Sequence, residues 1–217
     1  MRIVVTGASG LVGGLLLPLL SGHAVTIVGR RELADAPAGT VLHVAPMERW
    51  PEFVESDPCD VAICCLGTTI RIAGSQTAFA AVDRDAVVYF AKAARSAGAR
   101  HFLLITSVGA DAGSRAFYLR TKGEAEAGVK ALGFERVDVF RPGLLRGNRT
   151  GQHRPGEGFW TAISPLTDLL TPSVFDQYRS IAAADVARAM AAAIDVGEPG
   201  VFVHENRSIL ALARGRG

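Results

Sequence analysis

Seven short runs rich in Val, Ile and Leu recur along the chain, at residues 2–6, 24–29, 41–45, 61–66, 101–106, 136–140 and 200–204, with helical patterns between them. Strands that alternate with helices are joined by crossovers, and crossovers build a parallel sheet covered on both faces. The expected fold is therefore α/β: a Rossmann-like doubly wound parallel β-sheet with a small C-terminal substrate lobe. At 217 residues the chain is read as one domain, 1–217, with residues about 144 to 180 as a substrate lid. That stretch carries Gly, Pro, Asn and Thr at turn-like density, and His153, Arg154, Glu157, Phe159 and Trp160 within it are candidate substrate contacts.

Two helical patterns are clear. Val12, Leu15, Leu16, Leu19 and Leu20 share one face, as do Phe79, Val82, Val87, Phe90, Ala91 and Ala94 in a helix from about residue 75 to 96. Pro18 interrupts the first, because it removes a backbone hydrogen bond and crowds the carbonyl four residues back, so a kink or an early end is expected there.

Composition narrows the function classes. With 49% hydrophobic and 20% charged residues the chain is globular rather than disordered. Its 23 Lys+Arg against 21 Asp+Glu leave a net charge of +2 and no long basic stripe, so nucleic acid is not expected as a partner. No apolar run reaches the roughly 18 residues that span a bilayer, so no membrane partner is expected either. Cys59, Cys64 and Cys65 make an odd set in apolar surroundings, which points to a reducing compartment and to a cytoplasmic location. The five histidines have no metal-like spacing, and no metal is expected.

Directly after the first strand comes Thr6-Gly7-Ala8-Ser9-Gly10-Leu11-Val12-Gly13, a TGxxGxxG pattern that opens a helix. Gly7 permits the tight turn, Gly10 the close approach of backbone to a pyrophosphate, and Gly13 close packing of helix on sheet. The amides around Ser9, Leu11 and Val12 then face the diphosphate at the positive end of the helix dipole. At the end of the second strand, where an NAD site carries an acid for the ribose diol, the chain reads Gly29-Arg30-Arg31. Two guanidinium groups suit a 2′-phosphate, so NADP(H) is expected in preference to NAD(H).

Tyr118-Leu119-Arg120-Thr121-Lys122 is a YxxxK spacing, which places Tyr118 and Lys122 one helical turn apart on one face. An ammonium about 4 Å from a phenol stabilises the phenolate by about 4 kcal/mol at an effective dielectric near 20, which fits a tyrosine for acid–base work at neutral pH. Ser107 follows the strand at 101–106 and emerges at the carboxyl end of the sheet, with Thr106 as the alternative hydroxyl. The expected roles are Ser107 on a substrate carbonyl, Tyr118 as proton donor to the alkoxide, and Lys122 tuning Tyr118 and holding the nicotinamide ribose.

Together with Cys64-Cys65-Leu66-Gly67-Thr68-Thr69, Val82-Asp83-Arg84-Asp85, Gly109-Ala110-Asp111, Lys122-Gly123-Glu124 and Phe140-Arg141-Pro142-Gly143, these motifs resemble the short-chain dehydrogenase/reductase superfamily. The resemblance is narrower to its atypical branch of HIV Tat-interactive protein oxidoreductases, and spans most of the chain. It implies that Leu66, Gly67 and Thr68 line the cofactor and that Pro142, Gly143 and Leu144 flank the nicotinamide. It further implies an NADP(H)-dependent oxidoreductase acting on a small carbonyl or alcohol. A redox-sensing binding protein that acts through a protein partner, an epimerase or dehydratase with non-consumed cofactor, and a homodimer stay open at this point. The sequence departs from the pattern twice: residues 45–47 lack an Asp after the third strand, and the helix over Phe79 and Phe90 lacks the active-site Asn of conventional members.

Overall fold

The computed structural model describes residues 1–147 and 179–215. The candidate lid residues His153, Arg154, Glu157, Phe159 and Trp160 lie outside the described residues. Seven strands form one sheet: β1 (Arg2–Thr6), β2 (Ala24–Gly29), β3 (Val41–Val44), β4 (Val61–Cys64), β5 (His101–Ile105), β6 (Arg136–Arg141) and β9 (Gly200–Glu205), in the order β3-β2-β1-β4-β5-β6-β9. Every pair is parallel. A two-stranded ladder of β7 (Leu145–Arg146) and β8 (Ile181–Ala182) stands apart from it. The expected strands all occur, and the third, fourth and fifth end slightly early, at Val44, Cys64 and Ile105.

Helices cover both faces, and the strand side chains alternate between them. Ile3, Val5, Ile27, Ile63, Leu103 and Phe140 face a core shared with α1 (Leu11–Leu16), α7 (Ala183–Ala193) and α8 (Asn206–Ala213). Val4, Val28, Ala62, Cys64, Phe102 and Val139 face α2 (Trp50–Glu55), α5 (Ala86–Ser96) and α6 (Phe117–Lys130). The short helices α3 (Ile70–Ala73) and α4 (Gln76–Ala80) lead into α5. Pro18 acts as expected: α1 stops at Leu16 and a 3-10 turn, Leu17–Leu20, follows with the proline at its start. The helix expected from about residue 75 to 96 is not regular, because a π-helical turn, Ala81–Asp85, separates α4 from α5.

A polar hub ties the last three strands together inside the first core. Asp138 on β6 is fully buried and takes His101 Nε2 of β5 at 2.6 Å and His204 Nε2 of β9 at 2.7 Å. Arg136 donates to the same carboxylate through Nε and Nη2, at 2.5 and 2.8 Å. Burial pushes this carboxyl up, but the bonds from His101, His204 and Arg136 outweigh it and hold it well below the usual carboxylate range.

A group that titrates lower when folded stabilises the fold fully above its unfolded value and loses that contribution as pH falls below about 4. Asp138→Ala, which leaves a buried Arg136 uncompensated, is expected to cost about 3–5 kcal/mol in urea unfolding at neutral pH and to flatten the acid limb of the stability curve.

Candidate functional site

The strand order reverses at β1, between β2 and β4, and a crevice opens there at the carboxyl ends of the strands. The loop after β1 forms its floor. Gly7 has φ 77°, and a Cβ there would collide with the Cys65 carbonyl and stand 2.6 Å from the Leu66 nitrogen. A Cβ on Gly13 would meet the Gly7 carbonyl and come within 2.9 Å of Ala8 Cα. Only glycine fits at both places, so loop, helix and the end of β4 pack backbone to backbone.

The crevice holds a cavity of about 320 Å³. Of the expected cofactor residues, Gly7, Ser9, Gly10, Leu11 and Val12 line it from the loop after β1, Arg30 and Arg31 from the end of β2, and Leu66, Gly67 and Thr68 from the loop after β4. Tyr118 and Lys122 reach it from α6. Gly13 lies behind the loop and acts in packing. Pro142, Gly143 and Leu144 are not among the lining residues; beyond β6, among the described residues, Leu145 at the start of β7 lines it. That loop is fixed by Asn206, whose Oδ1 accepts the Gly143 amide at 3.0 Å and whose Nδ2 donates to the Arg179 carbonyl. The apolar lining from Ile27, Leu33, Trp50 and Ile72 belongs to no motif in the sequence and is assembled by topology; Val82 adds to it from the string 82–85.

The three expected catalytic residues differ in state. Tyr118 is partly exposed at the start of α6, with its ring 5.4 Å from that of Phe79. Lys122 is buried, and its ammonium lies 2.6 Å from Asp83 Oδ1, the two side chains 5% and 0% exposed. Ser107 Oγ is buried and has no hydrogen-bond partner among the described residues, and the same holds for Thr6 Oγ1 at the end of β1. Thr106 is occupied: its hydroxyl donates to Glu126 at 2.8 Å. Thr106 lines the cavity with its hydroxyl engaged, whereas Ser107, expected there from the sequence, is not among the lining residues.

Sequence reasoning missed Asp83 and Glu126. Asp83 sits four residues after Phe79 and four before Val87, on the buried stripe of its helix, and an acid on an apolar stripe was the available signal. Gly123 explains part of the KGE string, because a Cβ there would come within 2.6 Å of Asp111 Cα where the preceding loop crosses α6. Glu124 accepts from Arg84 Nη1 at 2.9 Å, so Lys122 and Glu124 of α6 pair with Asp83 and Arg84.

Burial disfavours the thiolate form of all three cysteines. It pushes Cys59 up to about 11 and Cys64 up to about 12, and raises Cys65 as well.

No family model matches the sequence. The chain is 37% identical over 221 residues to Protein HTATIP2 of Rattus norvegicus, across 98% of this chain and 89% of that one. It is 30% identical to Protein fmp52, mitochondrial, of Aspergillus niger, across 99% of both. Two solved structures are similar in fold: MoeE5 in complex with UDP-glucuronic acid and NAD (TM-score 0.72, 19% identity, 94% of this chain and 75% of that one), and UDP-glucose 4-epimerase with UDP-glucose from Thermotoga maritima (TM-score 0.70, 18% identity, 100% and 83%). The fungal relatives are named mitochondrial, which overturns the cytoplasmic assignment. The cysteines had argued only for a reducing environment, and thiol chemistry does not separate one reducing compartment from another.

Gly13→Ala forces the helix away from the Gly7 carbonyl. It is expected to lower stability by about 1–3 kcal/mol in thermal unfolding and to abolish nicotinamide-coenzyme binding by fluorescence titration.

Proposed function

This chain belongs to the family of HTATIP2 and the fungal FMP52 proteins, an atypical branch of the short-chain dehydrogenase/reductases, and we propose that it is an NADP(H)-dependent oxidoreductase of a small carbonyl or alcohol. The observation that carries this reading is that one cavity is lined both by the glycine loop and by Tyr118 and Lys122. A nicotinamide dinucleotide fits the residues present: the Gly7 cradle admits no side chain, and the orphaned Thr6 hydroxyl lies at the cavity wall.

In this reading the amides of the loop over Ser9, Gly10, Leu11 and Val12 bind the diphosphate, where the α1 dipole favours negative charge. Arg30 and Arg31, both exposed at the cavity, recognise the 2′-phosphate, and no acid at the end of β2 competes with it. Leu66, Gly67 and Thr68 form the wall on the other side, and Leu145 lines the cavity beyond β6. When bound, the nicotinamide supplies or accepts the hydride. Lys122 holds the adjoining ribose, one helical turn from Tyr118. Ser107 donates its free hydroxyl to the substrate carbonyl oxygen, and Tyr118 gives the proton that the developing alkoxide takes.

Titration of the protein with NADPH and NADH, followed by a carbonyl screen with stoichiometric counting of reduced coenzyme, tests this function. Consumption matched to product supports the reductase; binding without consumption would favour a sensor or a non-consumed cofactor. Tyr118→Phe is expected to keep NADPH affinity and to lose about 10²- to 10⁴-fold in turnover. Replacing Arg30 and Arg31 together by Ala is expected to weaken NADPH by about tenfold to a hundredfold and to leave NADH nearly unchanged. Equal losses for both coenzymes would overturn the 2′-phosphate assignment.

A further inference from the structure

Asp83 is an acid in an apolar stripe, on a π-helical turn, at a place where a helix of this length is otherwise regular. Single π turns inside α-helices are rare and tend to mark functional positions. Its two oxygens face different elements, one in an ion pair and one in a hydrogen bond. Oδ1 holds the Lys122 ammonium on α6 at 2.6 Å, and Oδ2 accepts the amide of Thr68, in the cavity loop after β4, at 3.0 Å. Gly67 roofs the pair: a Cβ there would stand 3.8 Å from Lys122 Nζ and 3.9 Å from Asp83 Oδ1.

We propose that Asp83 is the positioning residue of the site, which keeps Lys122 charged, aims it at the cavity and locks the loop after β4 to α6. The proposal rests on the oxidoreductase reading. A buried ammonium without a counter-ion sheds its proton, and a buried carboxylate without a cation takes one up, so neither charge survives alone. Asp83 thus takes a place for which the sequence offered no asparagine, and it acts by direct charge pairing.

The other charged and titratable groups around the pair leave Lys122 to Asp83. On the π turn, Arg84 pairs with Asp85 and with Glu124 of α6. One turn after Lys122, Glu126 is spent on Thr106, Lys130 and Arg141. Beneath the pair, at the end of β4, the Cys64 thiol is pushed up to about 12 by burial and stays neutral. Tyr118, one turn earlier on α6, is the group the lysine charge serves.

The test is NADPH affinity, read by fluorescence between about pH 6 and about pH 9, for the wild-type chain, Asp83→Asn, Lys122→Met and the double variant. The wild type is expected to bind with little pH dependence. Asp83→Asn is expected to lose about tenfold to a hundredfold in affinity at the alkaline end and to recover toward the acid end, as Lys122 regains its proton. In the Lys122→Met background the same substitution is expected to change nothing. An equal loss in both backgrounds, or no loss in either, would overturn the proposal. Asp83→Glu covers the case in which Asp83→Asn does not fold: it keeps the carboxylate, so an alkaline loss in that variant would equally count against the assignment. A wild type that binds neither coenzyme removes the oxidoreductase reading itself, an outcome distinct from failure of the variants alone.

Discussion

A buried carboxylate, Glu126, holds α6 to the carboxyl end of the sheet, and the geometry of the cavity depends on it. It is 2% exposed and accepts from Thr106 Oγ1 at the end of β5, from Arg141 Nε and Nη2 at the end of β6, and from Lys130 one turn on in its own helix. Burying a charge of this kind is expensive unless every acceptor site is filled, and here strands and helix supply the donors. Lys122 lies one turn before Glu126 and Tyr118 one turn before that, so one anchor sets the height of both above the strand ends. Gly123, pressed against Asp111, fixes the rotation of the same helix. Height and rotation together decide where a proton donor stands.

What the sequence made legible was local. Strands in an all-parallel sheet are buried on both faces and read as continuous apolar runs, so each of the seven could be found without knowing its neighbours. The glycine loop was legible for the same reason, although the structure enlarges its meaning: Gly7 and Gly13 are required first by the backbones of Cys65, Leu66 and Ala8. Pairings across long sequence separations were not legible. Glu126 with Arg141 and Asp138 with His101 and His204 join residues that no period connects, and each side chain taken alone reads as an ordinary surface charge. Asp83 falls between these cases. Its place on the buried stripe was visible, but its partner Lys122 lay on a helix whose position only the fold supplies.

MoeE5, a solved protein of similar fold, is named with NAD, whereas the reading proposed for Arg30 and Arg31 is a 2′-phosphate site. The two observations concern different things. Similarity of backbone reports how a diphosphate can be cradled at the β1 switch point, which any dinucleotide shares. Discrimination between the coenzymes rests on the charge of one or two side chains after β2, and those change without moving the chain. An acid there would repel the extra phosphate, and two guanidinium groups attract it.

Thr106 and Ser107 are neighbours with opposite fates, and the contrast bears on whether the site does chemistry. The Thr106 hydroxyl is consumed by Glu126 and belongs to the architecture. The Ser107 hydroxyl is buried with no partner among the described residues. A buried hydroxyl left unpaired costs about 1–3 kcal/mol, which a protein that only needed to hold a dinucleotide could recover with alanine. The cost is offset if a carbonyl oxygen arrives to take the hydrogen bond, and it is then returned where charge develops on that oxygen. In the proposed reading that oxygen belongs to the substrate, and Tyr118 and Lys122 already stand at the cavity to which it would come.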